Sequence, residues 1–164
     1  MRRVSPVVAV VFAVLCGTGF ATYAVAAPSK KPAKHKTKTR KYTEALNGAQ
    51  LSGSGNTGVD LYRVKSSVDG SGAAVQQVTV AGSTFPLTGT DKVTAYFADG
   101  VSRTKDTFTL ATPDANGNSA ISGSGKCVGG TRIHKHEKCH YTFTGSYNIK
   151  TLLVNATVHG TDKR

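Results

Sequence analysis

No stretch of this 164-residue chain carries the ~20 consecutive apolar residues that a membrane-spanning helix needs. The apolar run near the N-terminus is broken early by Cys16, Gly17, Thr18 and Gly19. Apolar residues at helical spacing are scarce, which argues against a helical bundle. The chain has three cysteines and no Cys-x2-Cys pair, so the usual zinc-site spacing is missing. A phosphate loop is also absent. Around Gly125-Lys126 its first glycine would have to stand at Ala120, and Cys127 fills the magnesium-holding Ser/Thr position. Serine and threonine are plentiful, but none lies in a nucleophile-elbow setting. No cofactor is implied by any of these patterns.

What is present begins with an address. Arg2 and Arg3 form a basic n-region, Val7 to Leu15 an apolar h-region, and Ala24-Val25-Ala26-Ala27 offers small residues for signal peptidase. Residues 1–27 therefore read as a cleaved signal peptide in preference to an anchor, and the mature protein is expected to be secreted. Cys16 leaves with that segment unless it is a lipid-attachment site, and Leu15 before it argues against attachment because a small residue is wanted there. Cys127 and Cys139 remain. Outside the cytoplasm two thiols without a third partner most simply form one disulfide. It would close a loop of about a dozen residues, for which chain entropy assigns roughly 3 kcal/mol.

Residues 28–41 contain no large apolar side chain, and seven positive charges: Lys30, Lys31, Lys34, Lys36, Lys38, Arg40 and Lys41. Such a segment cannot bury a core and is expected to be disordered. Beyond Lys41, twelve Lys or Arg against nine Asp or Glu leave only +3 of the chain's +12. The basic tail could hold an anionic cell-surface polymer or lipid headgroups in a salt-sensitive way, or it could be a solvated spacer. It has no aromatic residues to stack on bases, so specific nucleic-acid binding is not expected.

Residues 42–164 read as one all-β antiparallel domain. Alternation is clearest where Tyr141, Phe143, Gly145 and Tyr147 share a face, and again where Leu152, Val154, Ala156 and Val158 do. Earlier strand candidates are Val59 to Val64, Val75 to Val80, Val93 to Phe97, Thr107 to Ala111 and Ser119 to Val128. Turn signals separate them at Asp69-Gly70, Asp99-Gly100 and Pro113 to Gly117. A closed barrel and an open sandwich both satisfy this pattern. Gly123 and Gly125, in phase with Ile121 and Cys127, tilt the choice toward a barrel, where a bare face lets a strand bend or a neighbour approach. Asn155-Ala156-Thr157 fits a glycosylation acceptor but falls inside a strand.

The segment Ile121-Ser-Gly-Ser-Gly-Lys-Cys-Val-Gly-Gly-Thr131, followed by Tyr141-Thr-Phe-Thr-Gly-Ser-Tyr147, resembles the glycine-rich strand pair of the allene oxide cyclase and dirigent-like barrels. The resemblance covers about a quarter of the domain, with Pro113 to Gly117 as weaker support. It implies a calycin-like, eight-stranded antiparallel barrel around a central cavity. It carries over no catalytic residue, because the matched segment is scaffold. The chain departs from the family at Arg132 to His140, where a basic excursion replaces small residues.

That excursion holds the one cluster that looks like a chemical site. On an extended segment His134 and His136 point the same way, and Cys127, Cys139 and His140 could complete a zinc set, although oxidised cysteines are not thiolate ligands. Solvated loop histidines are the plainer expectation, as is a solvated Glu137 with no second carboxylate to work with. Two functions remain. One is a non-enzymatic exported barrel binding a small apolar or aromatic ligand, or a surface polymer. The other is a cyclase-like enzyme acting on a hydrophobic substrate. Polar groups converging in the cavity, with Asp60, Arg63 and Tyr96 or another ionisable pair as candidates, would favour the enzyme.

Overall fold

The computed structural model describes residues 38–164. Residues 1–27, read from the sequence as a signal peptide, and Lys30, Lys31, Lys34 and Lys36 of the basic segment lie outside the described residues. Eight antiparallel strands follow one another as β1 (Thr39–Ser54), β2 (Thr57–Ser66), β3 (Gly70–Ala81), β4 (Leu87–Phe97), β5 (Gly100–Leu110), β6 (Asn118–Gly130), β7 (Lys138–Asn148) and β8 (Leu153–Lys163). Each pairs with its sequence neighbours, and β1 pairs with β8 from Thr39↔Lys163 to Ala49↔Leu153, so the barrel closes and no edge is left unpaired. An open sandwich is thereby ruled out.

Alternation sets which face each strand buries. In β2, Asp60, Tyr62, Val64 and Ser66 are buried while Leu61, Arg63 and Lys65 are exposed. Inside, one cluster gathers Tyr42, Phe108, Phe143 and Val158, and a second Tyr62, Val64, Ala74 and Val154, with Leu46 against both. Removing each large apolar side chain from water contributes roughly 1.5–3 kcal/mol. The glycines of β6 make room for this core. A Cβ at Gly123 would overlap the Phe143 ring, and one at Gly125 would overlap Asp106 and the Tyr141 phenol.

Seven strands lie where alternation predicts them, and all three turn signals sit between strands. Asp114 organises the β5–β6 turn by accepting from the Asn116 and Asn118 amides at 2.9 and 2.8 Å. Three expectations need correction. The strand β1 escapes the alternation pattern because its inward positions are Tyr42, Glu44, Leu46 and Gly48, so a charge and a glycine break the apolar series. The domain therefore begins before Tyr42, and Arg40 and Lys41 belong to a strand in place of a disordered tail. Leu152 is not in phase with Val154, because it takes φ +61 in the turn before β8 and is exposed.

One end of the barrel is sealed. Cys127 and Cys139 form the expected disulfide, with Cα atoms 5.0 Å apart. Between them the chain makes one short 3-10 turn, Arg132–His134, that lays the His134 ring on Phe97 with centroids 5.8 Å apart. Glu137 accepts from Ser102 Oγ at 2.8 Å and meets His134 Nδ1 at 2.9 Å. Arg164 donates to both Asp69 oxygens at 2.6 and 2.7 Å and to Glu137 at 2.8 Å, and its Nε lies 2.9 Å from Asp162. Burial opposes this charge, yet Asp69 and Glu137 outweigh it and hold the guanidinium above its ordinary value.

Candidate functional site: the barrel interior and its open mouth

The opposite end is not sealed in this way. There a cavity of about 270 Å³ is lined by apolar side chains including Val80, Phe85, Leu87, Phe108, Leu110 and Ile149. Glutamines stand among them: Gln50 accepts from Tyr147 Oη at 2.6 Å, and Gln76 accepts from Tyr62 Oη. Tyr62 is also within 3.1 Å of Asp60. Burial first, then the Asp60 charge, pushes the Tyr62 hydroxyl well above its ordinary range, so it stays a phenol able to donate. Gln76, Ile121 and Val154 are shared with a second, inner cavity of only about 80 Å³. At ~30 Å³ per water, the inner space suits a few waters.

Glu44, Asp106 and Glu137 are among the residues that line that inner space. Asp91 and Asp106 are directly opposed across β4 and β5, and both are buried. Tyr141 donates to Asp106 at 2.5 Å, whereas both Asp91 oxygens lack a hydrogen-bond partner among the described residues. Burial, reinforced by the Asp106 charge, pushes the Asp91 carboxyl up to about 8. Asp106 is raised as well, chiefly by burial. Like charges this close cannot both ionise cheaply, so near neutrality the pair retains a proton. Nearer the sealed end, burial lifts Glu44 to about 7.

Asp60 points inward, but Arg63 and Tyr96 are on the outer wall. The ionisable pair that converges is Asp91 with Asp106, which alternation could have placed on inner faces had polar residues been admitted there. His134 and His136 do not face the same way: the first is fully buried and the second exposed, because the segment turns where an extended strand was expected. Glu137 is buried in place of being solvated, and Asp69 supplies the second carboxylate that sequence spacing concealed. Asp69, His134 and Glu137 approach one another closely enough to hold a cation. Arg164 already neutralises both carboxylates, and the zinc set fails because its two sulfurs are joined. Arg40 is not a free tail charge, since it donates to Asp162 at 3.1 and 2.5 Å. Lys38 and Lys41 are exposed.

No protein-family model, curated protein or solved structure matches this chain. The functional reading therefore rests on the site itself.

Proposed function

We propose that this is an exported, non-enzymatic barrel that binds a small, mainly apolar or aromatic molecule at its open end. The observation that carries the reading is the asymmetry of the two ends. One is stapled by a disulfide and an arginine–carboxylate network, and the other presents an apolar cavity with Gln50 and Gln76 among its lining residues. A pocket that is mostly apolar with few polar groups is the usual design for a small ligand. A disulfide is at home outside the cytoplasm, which supports export. The eight-stranded closed barrel is the architecture that the resemblance to the allene oxide cyclase and dirigent-like barrels implies.

A second reading, a cyclase-like enzyme, gains from the Asp91–Asp106 pair, since a carboxyl that keeps its proton near neutrality can serve as an acid. Against it, Asp106 borders only the 80 Å³ inner cavity and the outer wall, and the larger mouth cavity touches neither carboxyl. A substrate seated in the mouth would not reach the pair.

The test is a thermal-shift series with neutral aromatic alcohols such as phenol and 2-naphthol, on the wild type and on Leu87→Trp, which narrows the mouth. Saturable stabilisation of the wild type that Leu87→Trp abolishes is expected. Equal shifts in both proteins would place binding elsewhere, and conversion of the compound to product would favour the enzyme.

A further inference from the structure

The barrel's small net charge conceals a one-sided placement of its acids. All nine acidic residues of the chain lie among the described residues. Glu44, Asp60, Asp91, Asp106 and Asp162 take inward strand positions, and Glu137 is buried in the plug. Asp69, Asp99 and Asp114 stand in turns. No acid therefore takes an outward strand position, while the lysines of the strands are exposed.

Those lysines are aligned. Lys92 is directly opposite Lys105, Lys105 opposite Lys126, and Lys126 opposite His140. The row continues through Thr161 to Lys41. Like charges directly opposed on neighbouring strands disfavour the sheet, so the fold gains nothing from this register. A parallel row of exposed hydroxyls runs two residues away, through Thr90, Thr107, Ser124 and Thr142. A groove of about 670 Å³ follows Lys92, Lys105 and Lys126, is bordered at its floor by the inward Asp91 and Asp106, and meets a second of about 550 Å³ at His140. Six strands at ~4.8 Å spacing give the row a length of about 24 Å.

We infer that this row is a binding site for an anionic polysaccharide. Lysines supply point charges for carboxylate, sulfate or phosphate groups, and the adjoining hydroxyls can both donate to and accept from sugar hydroxyls. The wall is convex, so a rigid plane of lipid headgroups meets few of these strands while a flexible chain can follow the row around from β4 to β1. Neither row contains a Phe, Tyr or Trp side chain, and the single ring is the His140 imidazole, which disfavours a run of stacked bases. The site is separate from the mouth cavity and from the tail.

The experiment measures binding of the full chain to immobilised dextran sulfate, with uncharged dextran, single-stranded DNA and anionic phosphatidylglycerol vesicles as comparators. The variant Lys92→Gln/Lys105→Gln/Lys126→Gln is set against Arg63→Gln/Lys65→Gln/Lys135→Gln, which removes the same charge from exposed positions off the row, and against Lys30, Lys31, Lys34 and Lys36→Gln in the tail. The row variant is expected to weaken binding about tenfold or more and to flatten its salt dependence, with the other two within about threefold of wild type. Thr107→Val/Ser124→Ala is expected to weaken dextran sulfate binding while leaving inorganic polyphosphate binding unchanged. No binding by the wild type at low salt, equal losses in the row and off-row variants, or a loss confined to the tail variant would overturn the site. Tighter binding to DNA or vesicles than to dextran sulfate would overturn the choice of polymer.

Discussion

Asp91 and Asp106 face each other inside the barrel, directly opposed across β4 and β5. The folded protein holds onto a proton here that the unfolded chain would release near pH 4, since burial and the neighbouring charge raise Asp91 to about 8. A raised folded-state value means that the native state binds more protons over this interval, so stability is full at low pH and falls as pH rises from about 4 through about 8. Glu44, lifted to about 7, adds to the same slope. The melting temperature should be higher at pH 5 than at pH 8, and Asp91→Asn should raise it at pH 8 by several degrees while flattening the profile. A wild-type profile that rises toward pH 8 would show that the pair is not held in this state.

The disulfide should contribute through the loop it closes. With twelve residues of separation between Cys127 and Cys139, the double variant Cys127→Ser/Cys139→Ser should lose roughly 3 kcal/mol in denaturant unfolding. Mass spectrometry under non-reducing conditions should find no free thiol among these two in the oxidised wild type.

Arg164 and Arg40 both pair with Asp162, but they differ in burial. The Arg164 side chain is 13 % exposed and serves three carboxylates, whereas Arg40 is 37 % exposed and serves one. Arg164→Met leaves buried charges uncompensated and should cost roughly 3 kcal/mol or more. For Arg40→Met the expected cost is about 1 kcal/mol or less. Paired chemical denaturation of the two variants checks the order.

Gly125→Ala tests the packing of the interior. The added Cβ would overlap both Asp106 and the Tyr141 ring, so the hydrogen bond between them must yield or β6 must shift. A loss of about 1–3 kcal/mol is expected, against a near-neutral result for the exposed neighbour Ser124→Ala.

Much of this architecture was legible in the sequence where the signal was local. Period-two alternation marks Tyr141 to Tyr147, and turn chemistry marks Asp69-Gly70 and Pro113 to Gly117, because both depend on residues near one another in the chain. Strand β1 was not legible, since Glu44 and Gly48 occupy inward positions where apolar residues are looked for. Asp91 and Asp106 were missed for the same reason, although Asp60 was not. Their environment is built by strands up to 35 residues apart, as with Tyr141 and Asp106. The role of His134 was hidden because its partners Phe97 and Asp99 come from the end of β4 and the turn after it. The outer lysine row depends wholly on cross-strand register, which composition does not contain.

The central claim is that the open mouth is where a small apolar molecule binds, and backbone amide chemical-shift mapping during titration with 2-naphthol tests it most directly. Saturable shifts should concentrate at Val80, Leu87, Phe108, Leu110 and Tyr147, which line the mouth cavity, with little change at Ser102, His134 or Glu137 at the sealed end. Shifts absent at saturating ligand, or spread over the sealed end and the outer wall, would contradict the account.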